Sequence, residues 1–332
     1  METVSHQDRP DSYVSTGHLP PPDRIAALVE EAYEKFKSNR EGQRSSVYPS
    51  LAAAREELLG LCVVGTDGRL YAKGDSEHEF PIMSVSKPFV FALVCEALGA
   101  EAARDRLGVN ATGLPFNSLE ALERSVDGRT NPMVNPGAIT ATCLVPGAKH
   151  QDKWHIIQNG LSRFAGRPLA LNEPIFACAS ESNFRNREIA ERLASFGRLS
   201  LDPAEAVDLY TRQCSLDVSA RDLAVMGATL ADGGVNPVTR QRVIQAESCK
   251  FALAVMATAG LYEKSGDWLY DVGLPGKSGI SGGIVAVSPG KGALGTYAPP
   301  LDEAGNSVKG QLVARTLSER LGLNLFASKP EV

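Results

Sequence analysis

The stretch Phe80–Gly99, FPIMSVSKPFVFALVCEALG, sets a hydroxyl, Ser84, and an ammonium, Lys87, directly before the unbroken apolar run Phe89–Cys95. A helix that is apolar on every side belongs in a protein interior, so a lysine at its mouth either snorkels out or is buried for a purpose. Residues i and i+3 share a helix face, which lets Oγ and Nζ approach each other, and first-turn N–H groups point toward the same spot. A lysine buried there must drop from its usual pKa of ~10.4 to roughly 7 to act as a base, at a cost of roughly 4 kcal/mol. Burial and helix dipoles can supply that, and the product is a neutral amine able to activate a serine. The bland alternative is that Ser84 only caps the helix while Lys87 reaches solvent.

Working outward, the chain has the bulk for a large core and one or two domains: 332 residues, 43% hydrophobic and 22% charged, with formal net charge -5. The absence of a basic excess argues against nucleic acid or anionic membrane as partner. Six scattered cysteines without a CxxC pair read as reduced core residues, and no apolar run approaches the roughly 18 residues of a span, so a cytoplasmic protein is expected. Residues 1–20, polar and ending in LPPP, read as a flexible arm preceding one domain over 21–325.

DRIAALVEEAYEKFK has helical spacing, with Ile25, Leu28, Val29 and Ala32 on one face. LLGLCVVGTDGRLYAKGD reads as a hairpin turning at Asp67-Gly68. From about 100 to 260 the signals are helical, including an N-cap at Asp202 followed by Pro203, and Ser219 with Asp222 before a helix ending at Gly233-Gly234. The tail, DVGLPGKSGI, GGIVAVSPG and GALGTYAPP, returns to short β runs before a final amphipathic helix. The class is therefore mixed α/β (α+β): an antiparallel sheet assembled from both chain ends, with a helical subdomain inserted.

Two motifs fail on inspection. GKS at Gly276–Ser278 lacks the first glycine of a phosphate-binding loop, because that position holds Asp271. GISGG at 279–283 matches a nucleophile elbow, yet the last histidine, His155, lies far upstream of Ser281, so a Gly-rich turn is the better reading. SxxK at Ser84 is weak alone, since Ser288–Lys291 matches it too. It gains weight from Lys277-Ser278-Gly279, which resembles the KTG or KSG strand facing the SxxK helix in serine β-lactamases and transpeptidases.

With that pair in place, IMSVSKPF, NPMVNPGAI, RNREIA, DLYTRQCS, ADGGVNP, GLYEKSGDW, VGLPGKSGISGGI and PLDEAGNSVKG occur in the order and at about the spacing of the glutaminase family. The resemblance runs from Val47 to the last helix. It implies a β-lactamase-like fold, hydrolysis of L-glutamine to glutamate and ammonia, no metal or organic cofactor, and a homodimer or homotetramer. Position by position it implies Ser84 as nucleophile, Lys87 as its base and Tyr262 as a proton shuttle. Asn135, Asn186, Tyr210, Tyr262 and Tyr48 would bind substrate, and the N–H groups of Ser84 and Ile280 would form the oxyanion hole.

The chain departs from the family pattern at three places. Where the family carries a Ser-Glu pair whose glutamate binds the substrate's ammonium, this chain has Cys178-Ala179, and Ser180-Glu181 follows two residues late. Either the backbone rearranges so that Glu181 reaches the ammonium, or the pocket lacks that carboxylate and another carboxamide is favoured. Pro136 replaces an alanine, and Ser281 stands where glycine or alanine is usual. A non-catalytic descendant binding a small amide or a partner is the competing class, and the joint presence of Ser84, Lys87 and KSG argues against it.

Overall fold

The computed structural model describes residues 17–328. The expected arm falls largely on 1–16, outside the described residues; 17–20 lead without regular structure into α1 (Pro22–Phe36). Ile25, Leu28, Val29 and Ala32 are its buried face, as their spacing requires. The hairpin follows as β1 (Gly60–Gly65) and β2 (Leu70–Gly74), with Val64 opposite Leu70. Gly68 turns it at φ +84°, a region glycine enters without a Cβ penalty. β3 (Phe80–Pro81) and β4 (Asp217–Val218) form a separate short antiparallel ladder. β5 (Gly276–Ser278), β6 (Gly283–Ser288) and β7 (Gly292–Tyr297) come from the tail.

The main sheet has the order β2-β1-β7-β6-β5, antiparallel throughout, so the two chain ends meet where β1 pairs with β7. Side chains alternate faces along each strand. Leu61, Val63, Ile284, Ala286 and Leu294 pack with α1 and with Val313, Ala314 and Leu317 of the last helix, α10 (Val308–Arg320). Cys62, Val64, Val285, Val287 and Ala293 face the opposite side, against Leu223 and Ala224 of α8 (Ala220–Ala231). Helices cover both faces, which explains why β1 and β6 read as continuous apolar runs rather than as alternating ones.

Between the strands lie α2 (Lys87–Leu98), α3 (Asn135–Leu144), α4 (His150–Ala165), α5 (Glu173–Ser182), α6 (Phe184–Ser195), α7 (Pro203–Cys214) and α9 (Ala246–Ala259). The Asp202 side chain caps α7 through the Ala204 N–H, and Ser219 with Asp222 closes a capping box on α8. The middle is less purely helical than its sequence reads, because β4 ties the start of α8 to the segment just before Ser84. Nor does α8 stand off with the other helices. A Cβ on Gly227 would come within 2.7 Å of Ala293 Cβ and Val285 Cγ2, so the helix lies flat on the sheet.

A second close approach joins α9 to β5. A Cβ on Gly260 would collide with the carbonyl oxygen of Gly276. Gly260→Ala is expected to cost at least about 2–3 kcal/mol, read as a lower midpoint of thermal or denaturant unfolding. An unchanged midpoint would mean that α9 and β5 can part freely.

Candidate active site

Ser84 lies in a 3-10 turn, Met83–Ser86, that runs into α2. Three residues per turn bring the side chains of i and i+3 into line, so Ser84 and Lys87 project together more directly than on an α-helix. Met83 holds φ +47°, a conformation that costs a side-chain-bearing residue of order 1–3 kcal/mol. The capping reading fails: Ser86 occupies the cap position of α2, and its hydroxyl donates instead to Met83 O at 2.8 Å. The snorkelling reading fails too, because Lys87 is only 1% exposed.

Lys87 Nζ donates to Asn135 Oδ1 at 2.7 Å and to Met133 O at 3.3 Å, and among the described residues no carboxylate lines the cavity beside it. It faces the rings of Tyr210 and Phe116 at 5.9 and 6.0 Å. Burial brings its pKa down to about 7, with the Cys214 thiol opposing weakly. Neutral carbonyls and rings can hold an uncharged amine, so the low value has a structural cause.

A directional ladder of amides leads away from this lysine. Asn135 Nδ2 donates to Asn186 Oδ1 (2.9 Å), Asn186 Nδ2 to Asn183 Oδ1 (2.6 Å), Asn183 Nδ2 to Thr211 Oγ1 (2.7 Å), and Thr211 Oγ1 to Val207 O (2.7 Å). Tyr210 OH adds a bond to Asn135 Oδ1 at 3.2 Å. The ladder crosses from α3 to α6 to α7 and fixes each amide's orientation by its neighbour's. Pro136 disturbs none of it: it lies in the first turn of α3, where a missing N–H breaks no helical bond.

The opposite wall comes from the tail. Tyr262, at φ +58°, donates to Ser278 O at 3.2 Å, and its hydroxyl lies near that of Ser84; burial pushes its pKa up to about 12. Among the described residues three non-glycine positions have positive φ, and Met83 and Tyr262 flank the same hydroxyl. Lys277 Nζ donates to Ser278 O at 2.7 Å and sits 4.1 Å from the Tyr262 ring centroid. Burial, then the nearby Lys87, hold its pKa well below the ordinary lysine value. GISGG is the turn from β5 to β6, closed by Gly282 N–H to Gly279 O, as its glycines foretold. Gly279 approaches so near that a Cβ would meet Ile82 O at 3.2 Å, which sets Ile280 beside the Ser84 turn. The N–H groups of Ser84 and Ile280 donate to no protein acceptor among the described residues.

These walls enclose a cavity of 180 Å³ lined by Tyr48, Ser84, Asn135, Asn186, Tyr210 and Ile280, with Tyr262 behind Ser84. Glu181 is the exception. Helix α5 is unbroken from Glu173 to Ser182, and two residues along a helix rotate a side chain by about 200°, so Glu181 is exposed while Ala179 lines the cavity. Sequence reasoning also missed Phe116, Asn183, Thr211 and Cys214 on the cavity wall. The i, i+3 spacing of Asn183 and Asn186 on polar helix turns was a usable signal. Phe116 offered none, being a loop residue whose carbonyl accepts from Asn135 N at 2.7 Å and whose ring lies 4.7 Å from that of Tyr262. No cluster of three His, Cys, Asp or Glu side chains placed to hold a metal occurs among the described residues.

Known proteins of one family resemble this chain over nearly its whole length. A family model described as Glutaminase matches residues 42–326. Glutaminase 2 of Yersinia pestis is 64% identical over 318 residues, 96% of this chain and 94% of that protein. A glutaminase of Brucella canis is 45% identical over 310 residues, 93% of this chain and 98% of its own. A solved structure titled as a probable glutaminase superposes with TM-score 0.91 at 42% identity, covering 93% of this chain and 100% of its own. Mglu in its glutamate form superposes with TM-score 0.86 at 34% identity, over 93% of this chain and 70% of its own. The sheet built from both ends is thus the β-lactamase-like fold that the motifs implied, and the chain belongs to the glutaminase family.

Proposed function

We propose that this amidohydrolase releases ammonia from the side-chain amide of L-glutamine, leaving L-glutamate, by acyl transfer to Ser84. The observation that carries the reading is a serine on a strained 3-10 turn in line with a fully buried, carboxylate-free lysine. Neutral Lys87 takes the Ser84 proton while Oγ bonds to the carboxamide carbon. The oxygen, now negative, receives the N–H groups of Ser84 and Ile280. As the carbon–nitrogen bond breaks, the proton held by the Ser84–Lys87 pair passes to the nitrogen, with the Tyr262 hydroxyl as relay, and ammonia leaves. Water then adds to the ester carbon, gives its proton to Lys87, and releases the acid with Ser84 restored.

Asn135, Asn186, Tyr210 and Tyr48 position the rest of the substrate in this scheme. The working unit is one domain over 21–325, with the helices between about 100 and 260 forming one wall of the site. A homodimer or homotetramer and a reducing, cytoplasmic setting complete the reading, the latter supported by six free cysteines. No helix among the described residues is long and apolar enough to cross a membrane.

The test is ammonia release from glutamine by the purified chain, beside Tyr262→Phe. The variant keeps the ring packed on Phe116 and Lys277 but loses the hydroxyl, and its kcat should fall about 10²–10⁴-fold with little change in stability. Absence of ammonia at any glutamine concentration would sink the substrate reading, and an undiminished variant would remove Tyr262 from the proton path.

A further inference from the structure

Among the described residues, none that lines the cavity holding Ser84 carries a carboxylate. Among the described residues lining it, the charged side chain is that of Arg185, whose guanidinium reaches Glu188 at 2.9 Å on the exposed flank of α6. Several of its neutral acceptors already hold a donor. Asn135 Oδ1 receives both Lys87 and Tyr210, and the oxygens of Asn186, Asn183 and Thr211 each receive the preceding amide of the ladder. Ala179 supplies a methyl group, 3% exposed, where it borders the same space. An ammonium brought into that space would shed water and meet no counter-charge.

We infer that the site is built for ω-carboxamides of carboxylic acids that carry no free α-ammonium, such as the des-amino counterpart of glutamine or an N-acylated glutamine. The inference rests on the acyl-transfer reading of Ser84 and concerns only what occupies the far end of the cavity. The reaction balances as before: the acyl carbon exchanges its nitrogen for Ser84 Oγ, ammonia leaves, and water returns the free acid. Arg185 at the rim suits the carboxylate that such a substrate keeps, whereas the amide ladder accommodates a methylene or an acyl group without an unmet charge. Glutamine can still be cleaved, but its ammonium is a burden to the complex instead of a handle.

The experiment measures kcat/KM for three amides with the unaltered chain: glutamine, glutaramate (its des-amino analogue) and N-acetylglutamine. A kcat/KM for glutaramate or N-acetylglutamine equal to or above that for glutamine supports the inference. Values for both below that for glutamine overturn it, while glutamine cleavage by itself leaves the acyl-transfer reading standing. Ammonia from none of the three overturns both. Ala179→Glu adds a carboxylate at the proposed point and should move the preference at least tenfold toward glutamine. A folded Ala179→Glu protein with unchanged preference would likewise overturn the inference, and should that variant fail to fold, the comparison of amides decides alone.

Discussion

Ser84→Ala is expected to lower ammonia release at least about 10⁴-fold while leaving the fold intact. Removing the nucleophile from an acyl-transfer site costs several orders of magnitude, and what persists comes from the oxyanion donors and substrate binding. Ser84 is only 8% exposed, but alanine fits the same turn and Tyr262 keeps its bond to Ser278 O, so no buried donor is orphaned. The discriminating readout is covalent. An electrophilic glutamine analogue should add one label to the native protein, at Ser84, and none to the variant. Labelling elsewhere, or a variant retaining more than about a hundredth of the rate, would remove Ser84 from the reaction.

Lys87→Met should separate stability from activity. In the folded chain Lys87 has a pKa of about 7, against about 10.5 when unfolded. Between those values the unfolded chain holds a proton that the folded chain does not, so stability rises with pH across the window from about 7 to 10.5. Below about 7 both states are protonated and the burial penalty, on the order of 4 kcal/mol, is present in full. Methionine fills a similar volume without that penalty, and Asn135 Oδ1 retains the Tyr210 hydroxyl as donor. The variant should therefore unfold later, by roughly 2–4 kcal/mol at pH 6, and lose its pH slope above 7, while ammonia release falls by at least about 10³-fold. In the native chain the rate should rise as pH climbs through about 7 and then level off. A variant less stable than the native chain at pH 6 would show that the ammonium is not penalised there.

Both expectations depend on an arrangement that a functional site keeps at the expense of stability. Met83 and Tyr262 at positive φ, and two buried lysines without a carboxylate partner, are local violations that collect around one hydroxyl. Several other segments are locally consistent, as at the Ser219–Asp222 capping box and the Asp67-Gly68 turn.

How much of this was legible follows from the range of each force. The hairpin, the first helix, the caps at Asp202 and Ser219, the turn at GISGG and the alignment of Ser84 with Lys87 are set by neighbours a few residues apart, through dihedral preference and side-chain period. The sequence alone determined these, and with them the sheet made from both ends and, through the order of its motifs, membership of the glutaminase family. Only the tertiary structure decided what stands opposite. It buried Lys87 among Asn135, Tyr210 and Phe116, set Tyr262 against Ser84, and ran the amide ladder through Asn183 to Thr211. It also turned Ala179 inward and Glu181 to solvent, because an unbroken helix leaves no freedom to correct a two-residue displacement. A pattern along the chain states which face a side chain takes; which partner that face meets depends on contacts between distant segments, and Ala179 meets the cavity that holds Ser84.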